Sequence, residues 1–291
     1  MGHKSGFVNI LGNPNVGKST IMNILVGEKL SIVSPKAQTT RHRIMGIVNG
    51  EDFQIVYSDT PGILKPKYEL QESMMGFVNS ALTDADVILY ITDVTEKDAA
   101  GNEFPEKIRK SGVPVVVAVN KIDLSNQEDL GTIVEKWTGV FPGSPVIPLS
   151  ALKNFNLDVL LRTILERLPE SPPYFPKDQL TDKYERFFAA EIIREKILVN
   201  YQKEIPYSVE IEIESFKEEG NLNRISAIIH VARESQKGII IGHKGSMLKK
   251  VGTGSRIEME NFFGKKVFLE LHVKVTKDWR EKPNVLKRFG Y

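Results

Sequence analysis

The chain contains no cysteine. Disulfides, thiolate nucleophiles and cysteine-built zinc or iron–sulfur centres are therefore excluded, and any chemistry must come from oxygen, nitrogen and a hard cation. Also missing is any apolar run of the ~18 to 20 residues that a membrane-spanning helix requires. The opening stretch, Met1 to Gly6, has no secretory apolar segment behind it, so a cytoplasmic protein is expected. No lipid anchor is expected, because Gly6 stands where myristoylation wants Ser or Thr and the other acyl and prenyl anchors need cysteine.

Net charge is nearly absent as well, at +2, but it is unevenly spread. From Lys237 to Tyr291 there are 13 Lys and Arg against 5 Asp and Glu, whereas the preceding residues carry a net −6. A basic end on a near-neutral chain fits a polyanionic partner; the plain alternative is a solvated charged surface. With 41% hydrophobic and 26% charged residues, the 291-residue chain has the balance of a globular protein long enough for two domains.

Residues 6 to 168 alternate short β-rich apolar runs with helical patterns, which predicts an α/β domain built on a mostly parallel sheet with helices on both faces. The expected strands are Phe7 to Leu11, Ile44 to Asn49, Phe53 to Ser58, Val87 to Thr92, Val115 to Val119 and Val146 to Leu149. Four of the 15 prolines fall between Pro169 and Pro176. Each lacks the N–H that a helix or central strand needs, so residues 169–182 are expected to be a linker after a domain spanning 1–168. Residues 183–291 then read as α-β-β-α-α-β, an α+β domain with a basic tail.

The strand at Phe7 to Leu11 runs into Gly12-Asn13-Pro14-Asn15-Val16-Gly17-Lys18-Ser19, followed by Thr20 and a helical pattern. This is a phosphate-binding loop in its strand-loop-helix setting. Its backbone N–H groups would line a triphosphate, Lys18 would reach the β- and γ-phosphates, and the Ser19 hydroxyl would ligate Mg²⁺. Asp59-Thr60-Pro61-Gly62 follows a hydrophobic strand; Asp59 would hold Mg²⁺ through a water and the Gly62 N–H would meet the γ-phosphate. Asn120-Lys121-Ile122-Asp123 ends another strand, where the Asp123 carboxylate can accept two hydrogen bonds from guanine but not from adenine, so GTP should be chosen over ATP. Ser150-Ala151 is read either as a backbone donor to the guanine oxygen or as a helix cap. In the polar segment Ser34 to Arg41 a threonine can complete the Mg²⁺ shell, Thr40 being preferred to Thr39. The expected catalytic set is Lys18, Thr40 and Gly62. Ile63 stands where small GTPases with a catalytic Gln place it, and cannot orient water, so slow turnover is expected.

In the second half, Ile239-Ile240-Ile241-Gly242-His243-Lys244-Gly245-Ser246 lies between two helical segments. Two side-chain-free glycines let a single-stranded sugar-phosphate backbone approach, Lys244 and Lys249 add charge, and the isoleucines offer apolar support to unstacked bases. The expected RNA-binding residues are Ile241, Gly242, His243, Lys244, Gly245, Ser246 and Lys249; no DNA partner is expected. Trp279-Arg280 and Lys287-Arg288-Phe289 either stack on bases or pack the last strand.

The five segments Gly12 to Ser19, Gln38 to His42, Asp59 to Gly62, Asn120 to Asp123 and Ser150-Ala151 resemble the signature motifs of the translation-factor class of bacterial GTPases. The loop from Gly242 to Gly245 is similar to that of a type II KH domain. Together with Ala189 to Lys196, the arrangement resembles the Era family of bacterial ribosome-assembly GTPases. That resemblance implies GTP/GDP and Mg²⁺ as cofactors. It also implies binding to the 3′ end of 16S ribosomal RNA on the 30S subunit, with GTP favouring the RNA-bound state. In the similar tRNA-modifying branch an Asn at the position of Asn15 helps bind K⁺, which makes K⁺ stimulation an expectation here, against the alternative that Asn15 only braces the loop. That branch carries a terminal cysteine motif, which this chain lacks. Two further alternatives are an RNA-binding module with a vestigial nucleotide pocket and a GTPase held weakly at a membrane surface by its basic tail.

Overall fold

The computed structural model describes residues 2–96 and 103–291. The chain divides into two compact units. One comprises residues 1–31, 40–65 and 74–182; the other comprises 32–39, 66–73 and 183–291.

The first unit contains β1 (Lys4–Leu11), α1 (Lys18–Val26), β2 (Ile44–Asn49), β3 (Phe53–Asp59), α2 (Glu69–Thr83, whose first turn falls in the second unit), β4 (Val87–Asp93), α3 (Phe104–Ser111), β5 (Val115–Asn120), α4 (Gln127–Val140), β6 (Val146–Pro148) and α5 (Leu157–Arg167). The strands form one sheet in the order β2-β3-β1-β4-β5-β6, parallel except for the antiparallel edge pair β2 and β3. β4 and β5 are buried at every position, which explains why they read as unbroken apolar runs rather than alternating ones. The chain leaves β1 with β3 on one side and β4 on the other. That is the switch point at which open α/β sheets hold their ligands.

The proline-rich stretch is not a free linker. Gln54 on β3 accepts the N–H groups of Tyr174 and Phe175 at 2.7 and 2.9 Å and donates to the Phe175 carbonyl at 2.8 Å. Ile47 donates to the Leu180 carbonyl at 2.8 Å, and Thr181 to that of Met45 at 2.7 Å. A strap that needs few N–H donors suits prolines, and the first unit accordingly continues to Asp182.

The second unit holds α6 (Glu185–Asn200), β7 (Val209–Glu219), β8 (Leu222–Val231), α7 (Glu234–Ile241), α8 (Ser246–Phe263), β9 (Lys266–Val275) and α9 (Pro283–Arg288). β7 pairs antiparallel and β9 parallel with β8. Ile193, Ile197, Ile225, Ile229, Ile240, Val251 and Met259 close a core between sheet and helices. α9 follows the expected α-β-β-α-α-β order and was not foreseen; its Pro at the start and two basic residues at the end favour a short helix.

The tail resolves the alternative left open for Trp279. Its side chain is fully buried, its indole N–H donates to the Ser208 carbonyl at 3.1 Å, and its ring meets Phe289 edge-on at 5.8 Å. It packs the domain and is closed to bases. Trp279→Ala should therefore lower stability by about 3 to 5 kcal/mol, read from the urea midpoint; an unchanged midpoint would contradict this packing.

Candidate functional site

Positive φ angles at Gly12 (149°), Asn15 (66°) and Gly17 (101°) bend the loop after β1. Such alternation turns successive backbone N–H groups towards one centre, a cradle for anions at the start of α1. A Cβ on Gly12 would lie 2.1 Å from the Ile91 carbonyl, so no other residue fits there. A Cβ on Gly62 would lie 2.8 Å from the backbone of Pro14, which shows how closely the Asp59 to Gly62 segment approaches the loop. Thr60 fastens that segment by donating to the Ile10 carbonyl at 2.7 Å.

Three oxygens converge beside the loop. Ser19 Oγ stands 2.8 Å from Thr40 Oγ1 and 2.7 Å from Asp59 Oδ2, and Thr40 Oγ1 is 3.2 Å from the same carboxylate oxygen. Neighbouring ligands of an octahedral Mg²⁺, each about 2.1 Å from the ion, stand about 3 Å apart. The donors are all hard, and Asp59 Oδ1 is buried without a hydrogen-bond partner, so these residues fit Mg²⁺. Among the described residues there is no cluster of three His, Cys, Asp or Glu with metal-ligand geometry. Thr39 is turned elsewhere, donating to the Lys36 carbonyl at 2.6 Å.

Burial dominates the electrostatics. It raises the Asp59 carboxyl above its ordinary range, against the opposing influence of Lys18 and of hydrogen bonds from Ser19 and Thr40. It also lowers the Lys18 ammonium to about 8, against the pull of Asp59 and Glu96. Lys18 meanwhile donates to the carbonyls of Gly12 and Asn13 at 3.0 and 2.9 Å.

The segments at Asn120 and Ser150 are tied to each other and to the loop after β1. Asn120 donates to the Val16 carbonyl at 2.9 Å and accepts the Ala151 N–H at 3.1 Å. Lys121 donates to the Asn15 carbonyl at 2.7 Å and to Asp93 at 2.6 Å, while Ser150 donates to Asp123 at 2.5 Å. The register pairs Asp93 with Asn120 across β4 and β5. Thr20 lies in the first turn of α1, behind the loop. Asp93 and Glu96, which receives Asn13 and Thr92, escaped the sequence reading; only their place at the end of an apolar strand pointed to them. Ile63 is buried in the core and turns away from water.

In the second unit, Gly242 (φ 72°), Lys244 (φ 49°) and Gly245 (φ 77°) shape the loop between α7 and α8. His243, Lys244, Ser246 and Lys249 are exposed, and Ile241 is half-buried. Of the three isoleucines expected to support bases, Ile240 is corrected, since it is fully buried in the core and cannot meet a base, whereas Ile239 is exposed. Beside the loop runs a groove of about 430 Å³ lined by residues including Lys249, Thr253, Arg256, Leu269 and Leu271. Among the described residues no helix is long and apolar enough to cross a membrane.

Fold and site together define a P-loop GTPase unit followed by a KH unit. A family model described as a 50S ribosome-binding GTPase matches residues 7–121, and a KH domain model matches 204–280. GTPase Era of Syntrophus aciditrophicus is 46% identical over 292 residues, 99% of this chain and 95% of that protein. GTPase Era of Alkaliphilus metalliredigens is 45% identical over 100% of both chains. Era in complex with MgGDPNP and nucleotides 1506–1542 of 16S ribosomal RNA superposes with a TM-score of 0.95 at 42% identity over 99% of each chain. A variant of Aquifex aeolicus Era bound to GDP·AlF4⁻ gives 0.95 at 43%, also over 99% of each. The chain belongs to the Era family of GTPases.

With Lys18 as the expected partner of the triphosphate, GTP affinity should be insensitive to this group below about 8 and weaken by up to tenfold per pH unit above that value. Calorimetry about half a unit above it, in two buffers of different ionisation enthalpy, should show proton uptake on binding; none would contradict the assignment.

Proposed function

We propose that this chain is a GTP-hydrolysing switch that grips the 3′ end of 16S ribosomal RNA through its KH unit and acts in assembly of the small ribosomal subunit. The observation that carries this reading is the likeness, over 99% of both chains, to an Era solved with a GTP analogue and that RNA together. Likeness to an Era bound to GDP·AlF4⁻, a mimic of the transferring phosphoryl group, supports hydrolysis.

In this reading the backbone N–H groups from Asn13 to Thr20 hold the phosphates, and Lys18 compensates charge at the β- and γ-oxygens. Ser19 and Thr40 ligate Mg²⁺, which neutralises charge developing on those oxygens when bound, and Asp59 holds it through water. Gly62 offers its N–H to the γ-phosphate, with Thr60 and Pro61 fixing its approach. Asp123 reads guanine, with Asn120, Lys121, Ser150 and Ala151 walling the base. Gly242 to Ser246 and Lys249 bind the RNA backbone, Ile241 closing the apolar side.

Lys18→Ala should abolish GTP binding by calorimetry. Gly245→Asp is the sharper test of the RNA site. A side chain there meets nothing within 4 Å, and Asp tolerates the left-handed backbone, so added charge rather than misfolding acts on RNA. Affinity should drop on the order of tenfold or more; wild-type affinity would remove the assignment. By contrast, Gly242 is a poor test, because a Cβ would lie 2.7 Å from Met247.

The loop residue Asn15 is exposed at a left-handed position, open to a monovalent cation beside the phosphates. On that basis K⁺ should accelerate GTP turnover over Na⁺; equal rates would leave Asn15 as a brace.

A further inference from the structure

Residues 32–39 belong to the second unit and run by one peptide bond into Thr40 of the Mg²⁺-fitting cluster. Their attachments within the second unit are polar and directional. The Val33 N–H donates to Glu195 at 3.4 Å, and the buried Arg194 guanidinium, held by Glu191 at 2.5 and 2.7 Å, donates to the Thr39 carbonyl at 2.5 Å. Lys36 donates to the carbonyls of both Leu198 and Tyr201. Those two acceptors lie at the C-terminal end of α6, where the last carbonyls lack helical partners and a cation is favoured by the helix dipole.

Tyr201 carries the connection onwards. Its ring lies in the core, and its hydroxyl donates to the Ile240 carbonyl at 2.7 Å. Ile240 is in the last turn of α7, two residues before Gly242, and is fully buried. Two hydrogen-bonded links, Lys36 to Tyr201 and Tyr201 to Ile240, thus join the segment ending at Thr39 to the loop from Gly242 to Gly245. Each acceptor is a helix-end carbonyl whose loss of a partner is costly, so displacing the segment disturbs the helix end that sets the loop.

We propose that Lys36 and Tyr201 are positioning residues that make the RNA grip of the Gly242–Gly245 loop depend on whether Thr40 is engaged at the nucleotide pocket. The proposal rests on the functional reading above and names the residues through which its nucleotide dependence acts. Neither side chain belongs to the phosphate, guanine or RNA contacts, so both can be changed without touching those sites.

The test measures the affinity of full-length protein for the 16S segment 1506–1542 with MgGDPNP and with GDP, alongside GTP turnover without RNA. Tyr201→Phe keeps the ring and removes one hydroxyl; Lys36→Met keeps the stem and removes the charge. In each, turnover and RNA affinity with GDP should match wild type. The MgGDPNP-to-GDP affinity ratio should fall by about fivefold, the factor one net hydrogen bond supplies. The double variant should lose little more, because both changes cut one chain. By reciprocity, RNA should tighten MgGDPNP less in the variants. A ratio within twofold of wild type in both variants, a loss equal in the two nucleotide states, or a wild-type ratio of one overturns the proposal. Failure of the wild type to bind GTP or this RNA at all would instead sink the functional reading.

Discussion

Lys18 and Asp59 are opposite charges removed from water in one pocket, and the rest of the structure is arranged around keeping them there. Burial acts against both, lowering the ammonium to about 8 and raising the carboxyl. Such desolvation is tolerable only where partners are already in place. Gly12 and Asn13 supply carbonyls to the ammonium, and Ser19 and Thr40 supply hydroxyls to one carboxylate oxygen. The other carboxylate oxygen has none. Under the proposed function a triphosphate with Mg²⁺ would relieve both charges at once, so that the burial that costs the free protein stability would favour the ligand.

That constraint accounts for the surrounding backbone. The loop can wrap an anion only if its amides face inward, which demands the left-handed angles at Asn15 and Gly17 and the close passage of Gly12 beneath Ile91. Gly62 has to come within reach of Pro14. The segment from Asn120 to Asp123 is bound to the same loop through Asn120 and Lys121, which fixes the two segments to each other. In the second unit the demand is opposite. There His243 and Lys244 of the loop are exposed, and behind it the Tyr201 hydroxyl donates to the carbonyl of the buried Ile240.

Much of this was legible in the residues. β2 falls at the expected bounds, because an apolar run flanked by polar turns has few alternatives. Thr40, and not Thr39, stands beside Ser19, a placement that spacing alone left between the two. The proline strap did not reveal itself, because prolines mark where a helix cannot run and not where the carbonyls find donors. Nor did the burial of Ile240 and Trp279, since an apolar residue beside a functional loop reads equally as platform or core.

The amino-acid sequence by itself determined the chemistry at hand: a Gly-rich loop with Lys and Ser, a carboxylate after each of two strands and a glycine-bounded basic loop can serve few ligands, and spacing along one chain sets their order. The tertiary structure alone decided which oxygen meets which. Contacts such as Lys36 with Tyr201, Arg194 with Thr39 and Lys121 with Asp93 join residues far apart in sequence. No local periodicity encodes them; they follow from the sheet order and the packing of helices, which bring distant helix ends and strand ends to the same place.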